Sequence, residues 1–499
     1  MVDLERVRDI ELIRTVAKIQ DAELHRLNDI MRKERRYFAQ KMGMSPEQVE
    51  LELLKLEDEI SETHQRIYGG GSERRPREAR PEREEPKPPQ KGHGPTPQPE
   101  LKLEEHVHAL DAADETCPSC GEHLEAWDGQ FETHEEVDVV EVQYVVKKHK
   151  RQKYRCACGH IETALGPDKP ILGGRYGLGF AAHVAVNKYA DHLPLTRQVG
   201  RMKRVGLQVT SQSLWDQAVG LAVHIEPLLD RLHSYLLSKD VVQVDETRWP
   251  VLGSKARKKT KNWFVWSLAA EDAVLYKIQD GRSNEEGREI LQDYKGVAVT
   301  DGYIVYDSLS KSNGFVLANC WSHARRKFIE AERAHPEEAG DIIDIMGSLF
   351  GIEREIDLRV ASLPPWEALE VRKAMRQAES KPRVNALGEA VSKIKALKGS
   401  PLARAIQYLD NRWERLNVFL DDPRVPMTSN AVERSLRGPV LGRKNFQGSR
   451  SRRGTEIAAL YYSLIESCRL NGLDPHRYLL ETGRAAIRDQ ELLLPHEFG

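Results

Sequence analysis

Val241-Val-Gln-Val-Asp245, Asn262-Trp-Phe-Val-Trp-Ser-Leu268 and Ala273-Val-Leu-Tyr-Lys-Ile278 are apolar runs of strand length, rich in β-branched and aromatic residues. They read as three consecutive strands. The pattern then changes. A helix from about Asn284 to Tyr294 leads to Val297-Ala-Val-Thr300, a fourth strand that ends in Asp301. Gly314-Phe-Val-Leu-Ala-Asn-Cys320 is a fifth, running into a helix over His323-Ala-Arg-Arg-Lys-Phe328. Three meandering strands followed by strands alternating with helices predict a mixed α/β sheet.

That order is the order of a ribonuclease-H-like fold. In it the ends of strands one and four lie side by side, which brings Asp245 and Asp301 together although 301 − 245 = 56 positions separate them. Either aspartate alone reads better as a strand-end or turn residue. At two convergent positions they read as ligands of hard divalent cations, which want oxygen donors. A third carboxylate, Glu433, stands in Asn430-Ala-Val-Glu433-Arg-Ser-Leu-Arg437. The trio suits two Mg²⁺ ions that clamp the attacking and leaving oxygens of a phosphodiester displacement. Glu433 has a rival role, because Asn430-x-x-Glu433 resembles a capping box, with Ser429 or Asn430 as the cap. Arg434, Arg437, Arg443 and Lys444 crowd the same stretch and favour contact with phosphates. Glu246 should point to the other face of its strand and is left out of the site.

Cys117-Pro-Ser-Cys120 is half of a zinc site, and Cys156-Ala-Cys158 is a tighter second half. All four cysteines are candidate ligands of one structural Zn²⁺, with His123 or His160 as the replacement for Cys156 or Cys158. The basic run Lys147-Lys-His-Lys150-Arg151 lies beside them and is a candidate DNA contact. Cys320 and His323 are three apart, but two soft ligands are weak evidence for a metal. Cys320 reads as core, whereas His323 and Arg326 read as DNA-facing.

The 499 residues are too many for one core, and 40% hydrophobic with 30% charged residues describes a water-soluble chain. A net charge of −2 excludes a uniformly basic DNA-coating protein, so any nucleic-acid contact must rest on local patches. No apolar stretch reaches the roughly 20 residues that span a bilayer, and the start lacks a secretory core, which predicts a cytoplasmic, non-membrane protein. Residues 1–67 read as helix, with Val49, Leu53, Leu56 and Ile60 forming a coiled-coil seam after a cap at Ser45-Pro46. That seam predicts a homodimer or higher oligomer. Residues 68–104 are a Pro-, Arg- and Glu-rich linker, and 105–168 the zinc-binding β module, with β character over Val137 to Val146. Residues 169–239 are helical, with a helix-turn-helix outline from Leu195 through Gly206 to a helix capped by Ser211. The core runs over 240–329, an all-helical insertion over 330–422, the glutamate helix and basic segment over 423–455, and a helical end over 456–499.

Several short motifs recur together in order. His192-Leu-Pro-Leu195, Val244-Asp-Glu-Thr247 and Thr300-Asp-Gly-Tyr303 come first. Cys320-Trp-x-His323-Ala-Arg-Arg-Lys-Phe328, Asn430-x-x-Glu433-Arg-x-Leu-Arg437, Gly442-Arg-Lys-Asn445 and Asn471-Gly-Leu-Asp-Pro475 follow. With the cysteine pairs and the N-terminal helix, they make the chain resemble the DDE transposases of the insertion-sequence 66 family over essentially its full length. The resemblance implies that Asp245, Asp301 and Glu433 are the catalytic triad, with a helical insertion before the glutamate. It further implies terminal inverted repeats as the double-stranded DNA substrate, strand cleavage and transfer to a target, and small accessory proteins of the same element. The sequence departs from the family pattern at Cys156-Ala-Cys158 and at Asn445-Phe-Gln-Gly448.

Overall fold

A computed structural model describes residues 144–155, 161–252 and 263–498, together with positions 41, 43, 45 and 48. The chain divides into two units, residues 71–143 and the remainder, and every described residue belongs to the second. The coiled-coil seam, the linker and all four candidate zinc cysteines lie outside the described residues. The expected cap at Ser45 is present: Ser45 Oγ accepts from the Gln48 amide, and Gln48 Oε1 accepts from the Ser45 amide.

The first ladder is a small antiparallel pair, β1 (Lys153–Arg155) and β2 (Ile161–Thr163). Of the stretch expected to be β over Val137–Val146, the described residues Tyr144 to Val146 are not in a strand. Tyr144 instead packs edge-on against Phe180. Four helices follow: α1 (Leu178–Tyr189), α2 (Leu195–Arg204), α3 (Ser211–Ile225) and α4 (Leu228–Leu237). The turn after α2 contains Gly206 at φ +86°, a conformation that favours glycine. The cap of α3 is Thr210 rather than Ser211, its side chain accepting from the Ser213 amide. Thr210 lies one residue outside the helix in extended backbone, where a hydroxyl can reach back to the third amide.

The central sheet is built from β3 (Val241–Trp249), β4 (Trp263–Ala269) and β5 (Val274–Gln279), then α5 (Asn284–Leu291) and β6 (Val297–Thr300). It ends with α6 (Ile304–Asn313) and β7 (Val316–Asn319). Strand order is β5-β4-β3-β6-β7, with the first two pairs antiparallel and the last two parallel. β3 runs four residues beyond the expected end at Asp245 (249 − 245 = 4). Its continuation is possible because Glu246, the next inward residue, is paired with Arg282 and accepts from the Tyr306 hydroxyl, and Trp249 is buried.

Alternate residues of β6 enter different cores. Ala298 joins Val242 and Val244 in a cluster with α1, α3 and the C-terminal helices, while Val297 and Val299 face a second cluster with the helical insertion. Every β6 residue is buried, as expected of a parallel strand covered on both faces. After α7 (Trp321–Glu332), which leads out of the core, the insertion comprises α8 (Pro336–Val360), α9 (Pro365–Met375), a π turn over Arg376–Ser380, and α10 (Lys381–Lys393). It continues through α11 (Pro401–Asp410), α12 (Trp413–Leu416) and α13 (Val418–Asp421), with no strand among the described residues. α14 (Asn430–Ser435) and α15 (Arg437–Phe446) then return to the sheet. α16 (Arg452–Leu470) and α17 (Pro475–Ile487) close the chain.

The free edge of β5 is covered by α16. Ser467 Oγ accepts from the Val274 amide at 3.0 Å, and Ser463 Oγ accepts from the Tyr276 amide at 2.8 Å. The spacings match, because four helical residues rise about 6 Å and two strand residues about 6.6 Å. Two serines one turn apart therefore satisfy the outward amides of an edge strand that would otherwise offer a pairing template.

Candidate active site

The site is assembled by register. β3 and β6 pair in parallel with Gln243 opposite Val299, and the same register continued by two residues sets Asp245 opposite Asp301. Parallel neighbours opposite one another point to the same side of a sheet, about 4.8 Å apart along the backbone. Asp245 shares its face with Gln243 and Thr247. Both of those residues are gripped by the segment that carries Glu433: the Val432 amide donates to Gln243 Oε1 at 3.2 Å, and Arg443 donates to Thr247 Oγ1 at 3.0 Å. One strand over, Ser267 pairs with Asp245 and its hydroxyl meets that of Ser435. α14 thus lies across the Asp245 face, and Glu433 is brought to the aspartates from 132 residues beyond Asp301 (433 − 301 = 132).

The rival capping-box role of Glu433 is not what the geometry shows. Ser429 is the cap, it makes no side-chain cap bond, and its hydroxyl instead donates to Glu433 Oε1 at 3.3 Å. The same oxygen lies 3.7 Å from His323 Nδ1. Asn430 is inside the helix, and its side chain accepts from Ser322. Arg437 stands exposed at the start of the next helix, which follows α14 after the single residue Leu436.

Negative charge accumulates here. Burial, then the nearby Glu246, Asp301 and Glu433 carboxylates, push the Asp245 carboxyl up to about 7 against the pull of the Glu246 amide. Burial also raises Glu246, partly offset by the Tyr306 hydroxyl and Arg282. Arg282 was not anticipated from sequence. It bonds Glu246, lies 3.9 Å from Asp301 Oδ2, and stacks on the Tyr303 ring 3.8 Å from its centroid. No motif marks it beyond its place just before the Ser283 helix cap. The turn after Asp301 is held by the insertion: the Tyr408 hydroxyl donates to Asp301 O, and Arg412 to Gly302 O, both at 2.7 Å. Gly302 has φ +87°, and a Cβ there would lie 2.4 Å from Arg412 Nε, so the turn needs glycine twice over.

Two further residues enter the cluster. Cys320 is fully buried and accepts from the Ser429 amide at 3.2 Å. Burial alone would push its thiol up, but the adjacent His323 imidazole and Ser429 pull it below its ordinary value. Burial lowers His323, yet Cys320 and Glu433 raise it overall, with Arg326 opposing them. His323 is turned inward onto this group, and Arg326 is half-buried on the same helix. Among the basic candidates, Arg434, Arg437 and Lys444 are exposed around α14 and α15, while Arg443 is tied to Thr247 and the Arg248 carbonyl. Lys147, Lys150 and Arg151 are exposed ahead of β1, Arg151 donating to Ala164 O.

The acid at Asp245 sets a pH dependence for the metal-free protein. In the unfolded chain it loses its proton near 3.8, and in the folded chain at about 7. The folded state holds the extra proton between those values, so its stability falls as pH rises through that window. Asp245→Asn is expected to stabilise the metal-free protein by on the order of a few kcal/mol at about pH 8 and to change nothing below about pH 4. Urea midpoints measured across that range check it, and equal midpoints for both proteins at every pH would contradict the shift.

Comparison with known proteins places the chain. The transposase IS66 family model matches residues 173–457, a span that includes Asp245, Asp301 and Glu433. The zinc-finger binding domain of transposase IS66 matches residues 114–159, which contain Cys117, Cys120, Cys156 and Cys158. Three relatives from Sinorhizobium fredii (strain NBRC 101917 / NGR234) bear the description uncharacterized protein. The one designated y4jD is 34% identical over 389 residues, covering 73% of this chain and 74% of its own. The one designated y4hP is 29% identical over 417 residues, covering 77% and 73%. The one designated y4qI is 33% identical over 370 residues, covering 70% and 67%. No helix among the described residues is long and apolar enough to cross a membrane. With more than half of its length and its cysteine segment matched in this way, the chain belongs to the IS66 family of transposases.

Proposed function

We propose that the chain is a DDE-type DNA transposase with a ribonuclease-H-like core, in which Asp245, Asp301 and Glu433 hold two Mg²⁺ ions. The observation that carries this reading is the strand register that sets Asp245 opposite Asp301, with the Glu433 helix packed across the same face. The residues fit the ions. All donors are hard carboxylate oxygens, and the raised pKa of Asp245 reflects burial first and then repulsion from its neighbouring carboxylates, both of which a divalent cation would relieve. When bound, such ions lower the pKa of an attacking water and stabilise the expelled 3′ oxygen.

The chain's own residues do the positioning. Arg282 fixes Glu246 and faces Asp301, so the buried Glu246 charge does not compete for the cations. Tyr408 and Arg412 fix the Asp301 turn, and Gln243 and Thr247 dock the glutamate segment. Arg434, Arg437 and Lys444, with Lys147, Lys150 and Arg151, supply exposed positive charge for the phosphate backbone. The substrate in this reading is the double-stranded ends of an insertion sequence, cleaved and then joined to target DNA through the freed 3′-OH. Dimerisation through the N-terminal coiled coil would pair the two ends, and accessory proteins of the same element are further partners.

The test is incubation of purified protein with end-containing DNA and Mg²⁺, followed by analysis of nicked and joined products. Binding without nicking or joining would leave only a DNA-binding regulator. For the zinc finger, Cys117→Ser is expected to lower bound zinc by about one equivalent per chain, counted by elemental mass spectrometry. Retention of the full zinc content would remove Cys117 from the ligand set.

A further inference from the structure

Cys320, His323 and Glu433 offer one sulfur, one nitrogen and one oxygen, all within 4.8 Å of one another. We propose that these three side chains form a second zinc site, distinct from the zinc finger, that shares Glu433 with the acidic cluster. Around a tetrahedral Zn²⁺ with bonds of about 2.0–2.3 Å, donors stand roughly 3.4–3.6 Å apart. His323 Nδ1 and Glu433 Oε1 are already at 3.7 Å, so small side-chain rotations complete the set.

A second observation points to a ligand. His323 Nδ1 is shielded from solvent yet has no hydrogen-bond partner, although buried ring nitrogens are ordinarily paired. It is flanked by the thiol of Cys320 and the carboxylate of Glu433, a donor set that suits a borderline-soft cation. The sulfur discriminates against Mg²⁺, and three protein ligands leave a fourth position open. The elements hold the donors rigidly. Cys320 follows β7 directly and caps α7, His323 sits in the first turn of α7, and Ser429 binds both Cys320 Sγ and Glu433 Oε1.

One consequence rests on the catalytic reading given above. A zinc ion on Glu433 withdraws that carboxylate from the Mg²⁺ set, so Zn²⁺ is an inhibitor that acts by competition for one side chain.

The test is titration of Co²⁺, a spectroscopic substitute for Zn²⁺, into the full metal-free chain and into Cys320→Ser and His323→Ala chains. The parent is expected to bind one equivalent more than either variant, and parent-minus-Cys320→Ser spectra to show a sulfur-to-cobalt charge-transfer band. His323 is partly exposed, so His323→Ala keeps its fold if the buried cysteine variant does not. Equal cobalt content in the parent and His323→Ala, or a difference spectrum without the sulfur band, overturns the site. The inhibition arm adds Zn²⁺ to Mg²⁺-supported cleavage, with the parent inhibited and His323→Ala relieved. A sulfur-cobalt band in the parent-minus-Cys320→Ser spectrum of a chain that never nicks DNA upholds the site and sinks the transposase reading. Active cleavage without the band does the reverse.

Discussion

Asp245→Asn, Asp301→Asn and Glu433→Gln are each expected to lower strand cleavage by at least about a thousandfold while leaving binding to DNA ends intact. The magnitude follows from the arrangement. In the proposed site the three carboxylates would act on the same cations, so losing one would disturb the coordination that the other two provide. Their effects should therefore not add, and Asp245→Asn/Asp301→Asn should be hardly slower than either single variant. Asp245→Asn carries a further signature, because it removes a like charge and stabilises the metal-free fold at high pH while abolishing activity. Loss of activity through unfolding would show the opposite sign. A time course of nicking on end-containing DNA, with binding measured in parallel, decides the matter. Undiminished nicking in all three variants would falsify the metal-site proposal.

Arg376→Met is expected to cost about 3–5 kcal/mol, the largest stability loss of any single change considered for this chain. Arg376 is wholly buried in the insertion. Its guanidinium makes a two-pronged pair with Glu353 at 2.8 and 2.7 Å and donates to the Phe419 and Val425 carbonyls at 2.8 and 3.0 Å. Methionine fills much of the volume but leaves those carbonyls without their donor and the Glu353 carboxylate with only Arg372 at 3.5 Å, and stranded buried acceptors are the costly outcome. Glu353→Gln in the same chain should return part of the loss, since a charge left with only Arg372 at 3.5 Å is then gone. The bonded carbonyls lie on the approach to Met427, whose carbonyl accepts from the Trp321 amide just before Ser429 and Glu433. Cleavage should therefore fall together with stability. Urea unfolding of the single and double variants measures the coupling, and a loss under about 1 kcal/mol would mark Arg376 as no more than a surface-type pair.

How far the residues foretold this can be read from individual positions. Strands β4 to β7 were legible because each is a short apolar run between turn signals, and Asp301 because it directly follows β6. The all-helical insertion was legible from its lack of strand pattern. The end of β3 was not, because Glu246 looks like a solvated residue until Arg282 and Tyr306 are known to meet it. Arg282, Tyr408 and Arg412 reach Asp301 and its turn from loops and from the insertion, and such long-range partners leave no periodic trace. In the sequence Cys320 and His323 offer two ligands, one too few. The third, Glu433, is 110 positions further along (433 − 323 = 110), and only the packing of α14 onto the sheet completes the count.

The hydroxyl seam between Ser463, Ser467 and the outermost strand has a bearing on movement. It fastens the downstream end of the arginine-rich stretch, while the Val432–Gln243 bond fastens the upstream end. Between those posts Arg443 is held to Thr247 and Ser449 to Pro250 and Leu252, so a nucleic acid can reshape residues 437–451 only in the short stretches between these ties. Accommodation there is confined to a bowing of those stretches, and a swing of the whole C-terminal arm would strip the rim of its bonding partners.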